Sequence, residues 1–303
     1  MLAPTDVSLE AARLQPRGAR TGADLALLTA VTMVCFAGNS LLCRLALRGG
    51  GIDAASFTAV RLGAAAAVMS VLARLAGAAR APAGSWTSAA VLFGYAIAFS
   101  FAYVQIDAGL GALLLFGAVQ ITMVGWGILR GERPSAVEWL GLAVALAGLF
   151  VLSHPGTSAS PVAGVGLMLL AGVAWGTFSL RGRGSPDPLQ ATAAIFARTL
   201  PFVAATVAIA FAINHPHLSL QGVVAGLVSG GVTSGIGYVL WYRALKRLTS
   251  LQAASVQLTV PVIAALGGVV FLGEHPTLRL VGAAVLILGG IALSIVAHTR
   301  SAR

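Results

Sequence analysis

Aromatic and uncharged polar side chains recur inside long apolar segments of this sequence, where they could form a binding site for a small molecule. Phe36 and Asn39 are three positions apart, and Ser234 and Tyr238 are four apart, so each pair shares one face of a helix. Rings combined with amide and hydroxyl groups suit a neutral or zwitterionic, partly apolar solute. The predicted substrate-binding residues are Phe36, Asn39, Tyr95, Phe99, Gln120, Trp175, Ser234, Tyr238, Trp241 and Gln257.

The same residue types have other uses in membrane proteins. Asn and Gln within a membrane span often join neighbouring helices, and Tyr or Trp near the end of a span often lies at the membrane interface. We predict interfacial positions for Tyr242, Trp126 and Trp86.

A few residues within or between the apolar segments predict a structural or gating role. Arg61 and Arg198 each stand near the middle of a segment, where an arginine facing lipid costs about 2.5–3.5 kcal/mol, so both are expected to face the protein interior. Pro261 is predicted to kink its helix, because proline leaves a backbone carbonyl without its helical hydrogen bond. Glu132 and Glu274, from two short Gly-Glu-x-Pro stretches, are assigned to the same structural class.

Acidic residues and lysines are missing from the middle of every apolar segment. Proton-driven pumps and carriers of organic cations usually have a carboxylate there. The histidines lie at segment ends or between segments, so neither a catalytic pair nor a metal site is predicted, and no cofactor is expected. An intramembrane enzyme is therefore a distant alternative.

The composition predicts an all-α polytopic membrane protein. Hydrophobic residues make up 58% of the 303 residues and charged residues 9%, against about 25% charged in an average soluble domain. The surroundings of most of the chain are therefore predicted to be lipid. The basic residues behind the net charge of +10 sit singly or in pairs between apolar segments, which does not favour nucleic-acid binding. The ten predicted spans cover approximately residues 25–43, 54–73, 86–106, 108–129, 135–153, 161–180, 189–213, 219–242, 249–272 and 277–297.

The distribution of lysine and arginine predicts the orientation in the membrane. With a cytoplasmic N-terminus, fourteen of these residues lie on the cytoplasmic side and three lie outside, which agrees with the positive-inside rule. Both termini are then cytoplasmic, in a multi-pass protein of the cell inner (plasma) membrane.

An internal repeat relates the two halves of the chain. At an offset of 142 residues, Gly131, Glu132 and Pro134 align with Gly273, Glu274 and Pro276. Spans one to five thus correspond to spans six to ten, and because five is odd the second copy enters the membrane inverted. The predicted organisation is a cytoplasmic tail at 1–24, a first repeat at 25–153, a second at 161–297 and a cytoplasmic tail at 298–303.

The ten spans, the duplicated halves and the terminal "LGEHPT…GAAVLILGGIAL" resemble the drug/metabolite transporter superfamily, EamA family, in particular YddG-like amino-acid exporters. The resemblance covers residues 25 to 297. It implies a basket of ten helices with a central cavity lined by spans three, four, eight and nine, around which spans one, two, six and seven move.

We expect a secondary transporter that exports small metabolites, namely neutral or aromatic amino acids, by alternating access. Export of drugs or other metabolites by the same fold is the alternative. The expected partners are the lipid bilayer and a small-molecule substrate, and a monomer is compatible with this arrangement. Without an internal carboxylate, obligate proton coupling is not expected.

Overall fold

The computed structural model describes residues 22–47, 50–76, 84–106, 108–153, 161–213, 216–272 and 278–301. Within these ranges the chain forms helices, and Ile52 and Leu218 form an isolated antiparallel β-bridge. The prediction of an all-helical protein is confirmed. The helices are α1 (Gly22–Leu47), α2 (Ala54–Leu75), α3 (Trp86–Tyr103), α4 (Ala108–Leu129), α5 (Ala136–Ser153), α6 (Val162–Gly182), α7 (Pro188–Ile213), α8 (Leu220–Leu245), α9 (Ser250–Gln257 and Thr259–Leu272) and α10 (Leu278–Ser301).

Most of these helices are suited to a bilayer. In the described part of the chain, eight are long and apolar enough to cross a membrane, and the apolar parts of α5 and α10, Ala136–Leu152 and Leu278–Ser294, are shorter. A multi-pass membrane protein follows from these lengths, because about 20 apolar residues span the hydrocarbon core.

Side-chain caps mark where several helices begin. Asp53, Ser85 and Ser219 each accept a hydrogen bond from a backbone N–H in the first turn of the helix that follows. Thr249 and Gln252 form a reciprocal capping box at the start of α9. Such caps satisfy N–H groups that have no partner within the helix.

Two helices of the second half depart from regular α geometry. The middle of α8, Ser229–Ile236, is a π-helix, which is rare and frequent at functional sites. The other irregular helix, α9, is interrupted at Leu258. Pro261 lies four residues after Gln257 and cannot donate to its carbonyl, which explains the position of the interruption.

The helix contacts have a two-fold pattern. Helix α1 packs on α8 and α9, and its counterpart α6 packs on α3 and α4. Helix α2 contacts α8, and its counterpart α7 contacts α3. The pairs α2–α7, α4–α9 and α5–α10 each join a helix to its counterpart in the other half. Exchanging the halves leaves these main contacts unchanged.

Candidate substrate site

Aromatic side chains from both halves meet at the centre of the helix bundle. Trp175 of α6 lies with its ring centroid 5.1 Å from that of Phe36, 5.1 Å from that of Tyr95 and 4.8 Å from that of Tyr238. These partners belong to α1, α3 and α8, so Trp175 joins the first half to the second. Ring pairs at such distances add to stability beyond the area they bury.

A small cavity lies within this aromatic cluster. Its volume is about 20 Å³, which is room for a single water molecule. A solute of amino-acid size therefore enters only if the surrounding helices separate. Its lining comes from α1, α3, α4, α6, α8 and α9 and consists of Phe36, Asn39, Ser40, Tyr95, Phe99, Leu115, Phe116, Trp175, Tyr238 and Val260.

The structure divides the predicted binding residues into two groups. The residues that line the cavity are Phe36, Asn39, Tyr95, Phe99, Trp175 and Tyr238. The other four, Gln120, Ser234, Trp241 and Gln257, do not line it and instead bond to neighbouring helices. Their assignment as binding residues remains a prediction that the described conformation does not favour.

Gln257 holds the central tryptophan in place. Its Oε1 accepts a hydrogen bond of 2.6 Å from Trp175 Nε1, while its Nε2 donates to the Ala253 carbonyl at 3.0 Å. Gln120 Nε2 donates to the Ala254 carbonyl at 2.8 Å, and Trp241 Nε1 donates to Ser179 at 3.0 Å. The bonds of Trp175 to Gln257, Gln120 to Ala254 and Trp241 to Ser179 each join two helices and hold the cavity wall in place.

Arg61 lies directly behind the cavity wall. It is 1% exposed, and its Nη2 donates to the Tyr238 hydroxyl at 3.0 Å and to the Tyr95 hydroxyl at 3.5 Å. Its Nε donates to Ser234 at 3.1 Å, and Ser234 belongs to the π-helix of α8. The expectation that Arg61 faces the protein interior agrees with this position.

Arg198, the other arginine near the middle of an apolar segment, has different surroundings. It is half-buried, donates to the Ala194 carbonyl of its own helix at 3.0 Å, and lies 6.0 Å from the ring centre of Trp86. Trp86 is exposed. The two arginines are therefore not equivalent, and the charge near the cavity comes from the first half.

Three residues that line the cavity were not predicted from the sequence. They are Ser40, Leu115 and Val260, and small or apolar residues in an apolar segment carry no distinguishing signal. The prediction that Tyr242 is an interface anchor is wrong, because its side chain is completely buried.

A larger cavity of about 600 Å³ opens at the face that the charge distribution predicts to be cytoplasmic. It lies at the α2–α3 and α6–α7 connections, and Ser88, Arg181, Asp187, Gln190 and Tyr242 are among its lining residues. We call it the inner vestibule. Arg181 donates to the hydroxyls of Ser88 and Ser85 at 3.0 and 3.1 Å, so a positive charge lies at its edge.

The first Gly-Glu-x-Pro stretch ends one helix and caps another. Gly131 has a φ of +90°, a left-handed conformation that glycine adopts without strain at the end of a helix, here α4. Both carboxylate oxygens of Glu132 accept from the Ser250 N–H at 3.0 Å, at the first residue of α9. Arg183 pairs with Glu132 at 3.4 Å. Glu274, in the second copy, lies outside the described residues.

The α1–α2 and α7–α8 connections are joined at the opposite face. The Ser219 N–H donates to the Gly51 carbonyl at 2.7 Å, and the Asp53 N–H donates to the His217 carbonyl at 3.2 Å. The Asp53 carboxylate also accepts from the backbone N–H groups of Ser56 and His217, at 2.8 and 3.0 Å. We call this contact of residues 51–53 with 217–219 the outer clasp.

The outer clasp should weaken in acid. Partial burial acts to raise the pKa of Asp53, but hydrogen bonds from Ser56 and the His217 N–H outweigh it and hold this pKa below its ordinary value. Because the pKa is lowered by folding, the stabilisation is complete above about pH 4 and is lost as the pH falls through the lowered pKa. Asp53→Ala should therefore lower the free energy of unfolding by about 0.5–2 kcal/mol at pH 7, and by less at pH 3.

The measurement is thermal unfolding of both proteins in detergent at the two pH values. Asp187→Ala is the matched control, since Asp187 caps α7 through the Leu189 and Gln190 N–H groups at the other face. If Asp53→Ala lowers the stability more than Asp187→Ala does, the difference measures the contribution of the contact with His217. A difference between wild type and Asp53→Ala that is the same at pH 7 and pH 3 would contradict the role of the ionised carboxylate.

The fold and the site together define a class of protein, a polytopic membrane protein with a small central cavity between two bundles of helices. The EamA-like transporter family model matches residues 162–296. An uncharacterized protein from Pseudomonas aeruginosa is 53% identical over 270 residues, which are 88% of this chain and 93% of that protein. The chain belongs to the EamA-like transporter family. Since this is a family of transporters, the expectation that the chain is not an enzyme is confirmed.

More distant relatives carry functional names. A protein of Salmonella typhimurium named "Probable amino-acid metabolite efflux pump" is 23% identical, over 68% of this chain and 76% of its own. A protein of Streptantibioticus cattleyicolor named "Probable terminal-alkyne amino-acid exporter" is 29% identical, over 64% of this chain and 67% of its own. One solved crystal structure matches with a TM-score of 0.77 over 91% of this chain and 98% of that one, at 20% identity, which shows the fold.

Proposed function

We propose that this protein exports neutral or aromatic amino acids, or small metabolites like them, across the inner membrane by alternating access of two inverted five-helix halves. The proposal includes cytoplasmic termini and repeats at 25–153 and 161–297. The observation that carries it is the central cavity, whose aromatic, amide and hydroxyl lining is contributed by helices of both halves. The family and the names of the distant relatives support the same function.

The arrangement of open and closed regions supports entry from the cytoplasm. The inner vestibule of about 600 Å³ opens on the predicted cytoplasmic face, while the outer clasp joins the connections at the other face. Tyr242 lines the vestibule and packs on Phe178 at 5.3 Å, and Phe178 in turn lies 5.7 Å from Trp175 at the cavity. Separation of Tyr242 and Phe178 would connect vestibule and cavity, and release of the outer clasp would then discharge the solute.

Flux measurements in proteoliposomes test the function. We expect purified protein to exchange a labelled neutral or aromatic amino acid for the unlabelled compound, and to do so without a pH gradient. No acidic residue lies in the middle of an apolar segment, so the protein lacks the usual intramembrane proton carrier. Strict dependence of the flux on a pH gradient would contradict this mechanism, and absence of flux for every amino acid would contradict the substrate class.

Export of cationic drugs by the same fold is the weaker alternative. The charge behind the cavity wall is the positive charge of Arg61, which repels organic cations. A panel of ligands in a thermal-stability assay separates the two functions. Stabilisation by organic cations and not by amino acids would favour the alternative.

A further inference from the structure

Among the residues that the structure describes, the buried charge of Arg61 has no counter-ion. Arg183 pairs with Glu132, for example, whereas no carboxylate of the described residues pairs with Arg61. Its Nη1 also has no hydrogen-bond partner among the described residues, although the side chain is 1% exposed. A buried ion without a partner is strongly unfavourable, and an ionisable residue inside a membrane protein is a functional-site candidate by default.

The neighbours of Arg61 orient the guanidinium without neutralising it. Ser234, Tyr95 and Tyr238 supply hydroxyl acceptors, and the guanidinium carbon lies 5.4 Å from the Tyr95 ring centre and 5.7 Å from the Phe99 ring centre. All of these groups are uncharged. They occupy Nε, Nη2 and the π-faces, and within the described part of the chain no acceptor bonds to Nη1.

The Arg61 guanidinium is separated from the central cavity by single side chains. Tyr95, Phe99 and Tyr238 each contact Arg61 on one side and line the cavity on the other. A solute in the expanded cavity therefore comes within one side chain of the guanidinium. Arginine binds carboxylates with short, charge-assisted hydrogen bonds, often two at once.

We propose that Arg61 is the receptor for the carboxylate of the transported solute, with the Tyr95 and Tyr238 hydroxyls beside it. This proposal rests on the proposed function and narrows its substrate class to monocarboxylates with an apolar or aromatic remainder. The remainder packs against Phe36 and Trp175. None of the described residues that line the cavity is acidic, so an ammonium group on the solute is not required for binding.

Three related ligands test the proposal on the unmodified protein. Phenylalanine carries both charged groups, 3-phenylpropanoate only the carboxylate, and phenethylamine only the ammonium. We expect phenylalanine and 3-phenylpropanoate to raise the thermal unfolding midpoint in detergent, and phenethylamine to leave it unchanged. An equal or larger shift with phenethylamine would overturn the proposal.

Two arginine variants give the second arm of the experiment. Arg61→Gln should weaken carboxylate binding by at least roughly 30-fold, because a buried charge pair loses one partner. Arg198→Gln is the matched control and should keep wild-type binding. A purely structural Arg61 would lower the unfolding midpoint of the unliganded variant and leave the carboxylate-dependent shift intact, and that result would also overturn the proposal.

A further variant covers the case in which Arg61→Gln does not fold. Tyr238→Phe keeps the ring and removes the hydroxyl beside the guanidinium, and we expect a smaller loss of carboxylate affinity. Unchanged affinity in both Tyr238→Phe and Tyr95→Phe would count against the assigned site. The two proposals fail separately: carboxylate binding without amino-acid flux removes the export function alone, and full amino-acid flux in Arg61→Gln removes the role of Arg61 alone.

Discussion

Replacing Gly230 with alanine is expected to destabilise the protein by about 1–3 kcal/mol and to abolish transport. Gly230 lies in the π-helix of α8, and a Cβ added there would clash with the backbone carbonyl of Arg61. A backbone atom cannot rotate away as a side chain can, so α2 and α8 must separate. Ser234 and Tyr238 would then move away from the Arg61 guanidinium.

The measurement is the thermal unfolding midpoint in detergent, together with amino-acid exchange in proteoliposomes. Gly63→Ala is the control, because a Cβ at Gly63 meets nothing within 4 Å on the same helix as Arg61. Alanine in a helix interior is more favourable than glycine by about 0.5–1 kcal/mol, so this control should be neutral or stabilising. Equal midpoints for the two variants would show that the close approach of α2 and α8 does not matter.

Trp175→Ala is expected to lower the free energy of unfolding by about 3–5 kcal/mol, the range observed when a buried aromatic residue is truncated. The indole of Trp175 is 5% exposed and contacts the rings of Phe36, Tyr95, Phe178 and Tyr238. Its removal leaves an apolar void at the junction of both halves. Since such voids bind small aromatic molecules, added indole should restore part of the lost stability.

Unfolding midpoints with and without indole test this expectation. Trp126→Ala is the control, because Trp126 is 43% exposed and its ring contacts the Arg130 guanidinium 4.8 Å away. Its loss should cost about 1 kcal/mol or less and should not respond to indole. A stabilising effect of indole that is equal in wild type, Trp175→Ala and Trp126→Ala would mean that the central position creates no specific void.

The helices could be predicted from the sequence because the bilayer fixes their length. The predicted span 108–129 is the observed Ala108–Leu129, and the predicted 189–213 differs by one residue from Pro188–Ile213. Runs of about 20 apolar residues between basic loops leave little freedom in such assignments. Phe36 and Trp175, both predicted as substrate-binding residues, meet with ring centroids 5.1 Å apart.

The roles of individual polar residues could not be predicted in the same way. Gln120 bonds to the Ala254 carbonyl and Gln257 to the Trp175 indole N–H, both on neighbouring helices. Which partner each glutamine meets depends on how the helices pack. Tyr242 was misplaced at the interface because it precedes a basic cluster. In the structure its ring occupies the space beside Gly182, where a Cβ would overlap it, and no periodicity in the sequence reports such a pair.

The buried guanidinium of Arg61 must wait for two of its hydrogen-bond acceptors while the chain is being synthesised. Its acceptor Ser234 lies 173 residues further along the chain, and at about 5–20 residues per second a ribosome needs roughly 10–35 s to reach it. During that interval the nascent α2 can use Tyr95, but neither Ser234 nor Tyr238 has yet been made. An amino-terminal half released alone would therefore leave the charge of Arg61 facing lipid. We expect quality-control proteases to degrade such a fragment.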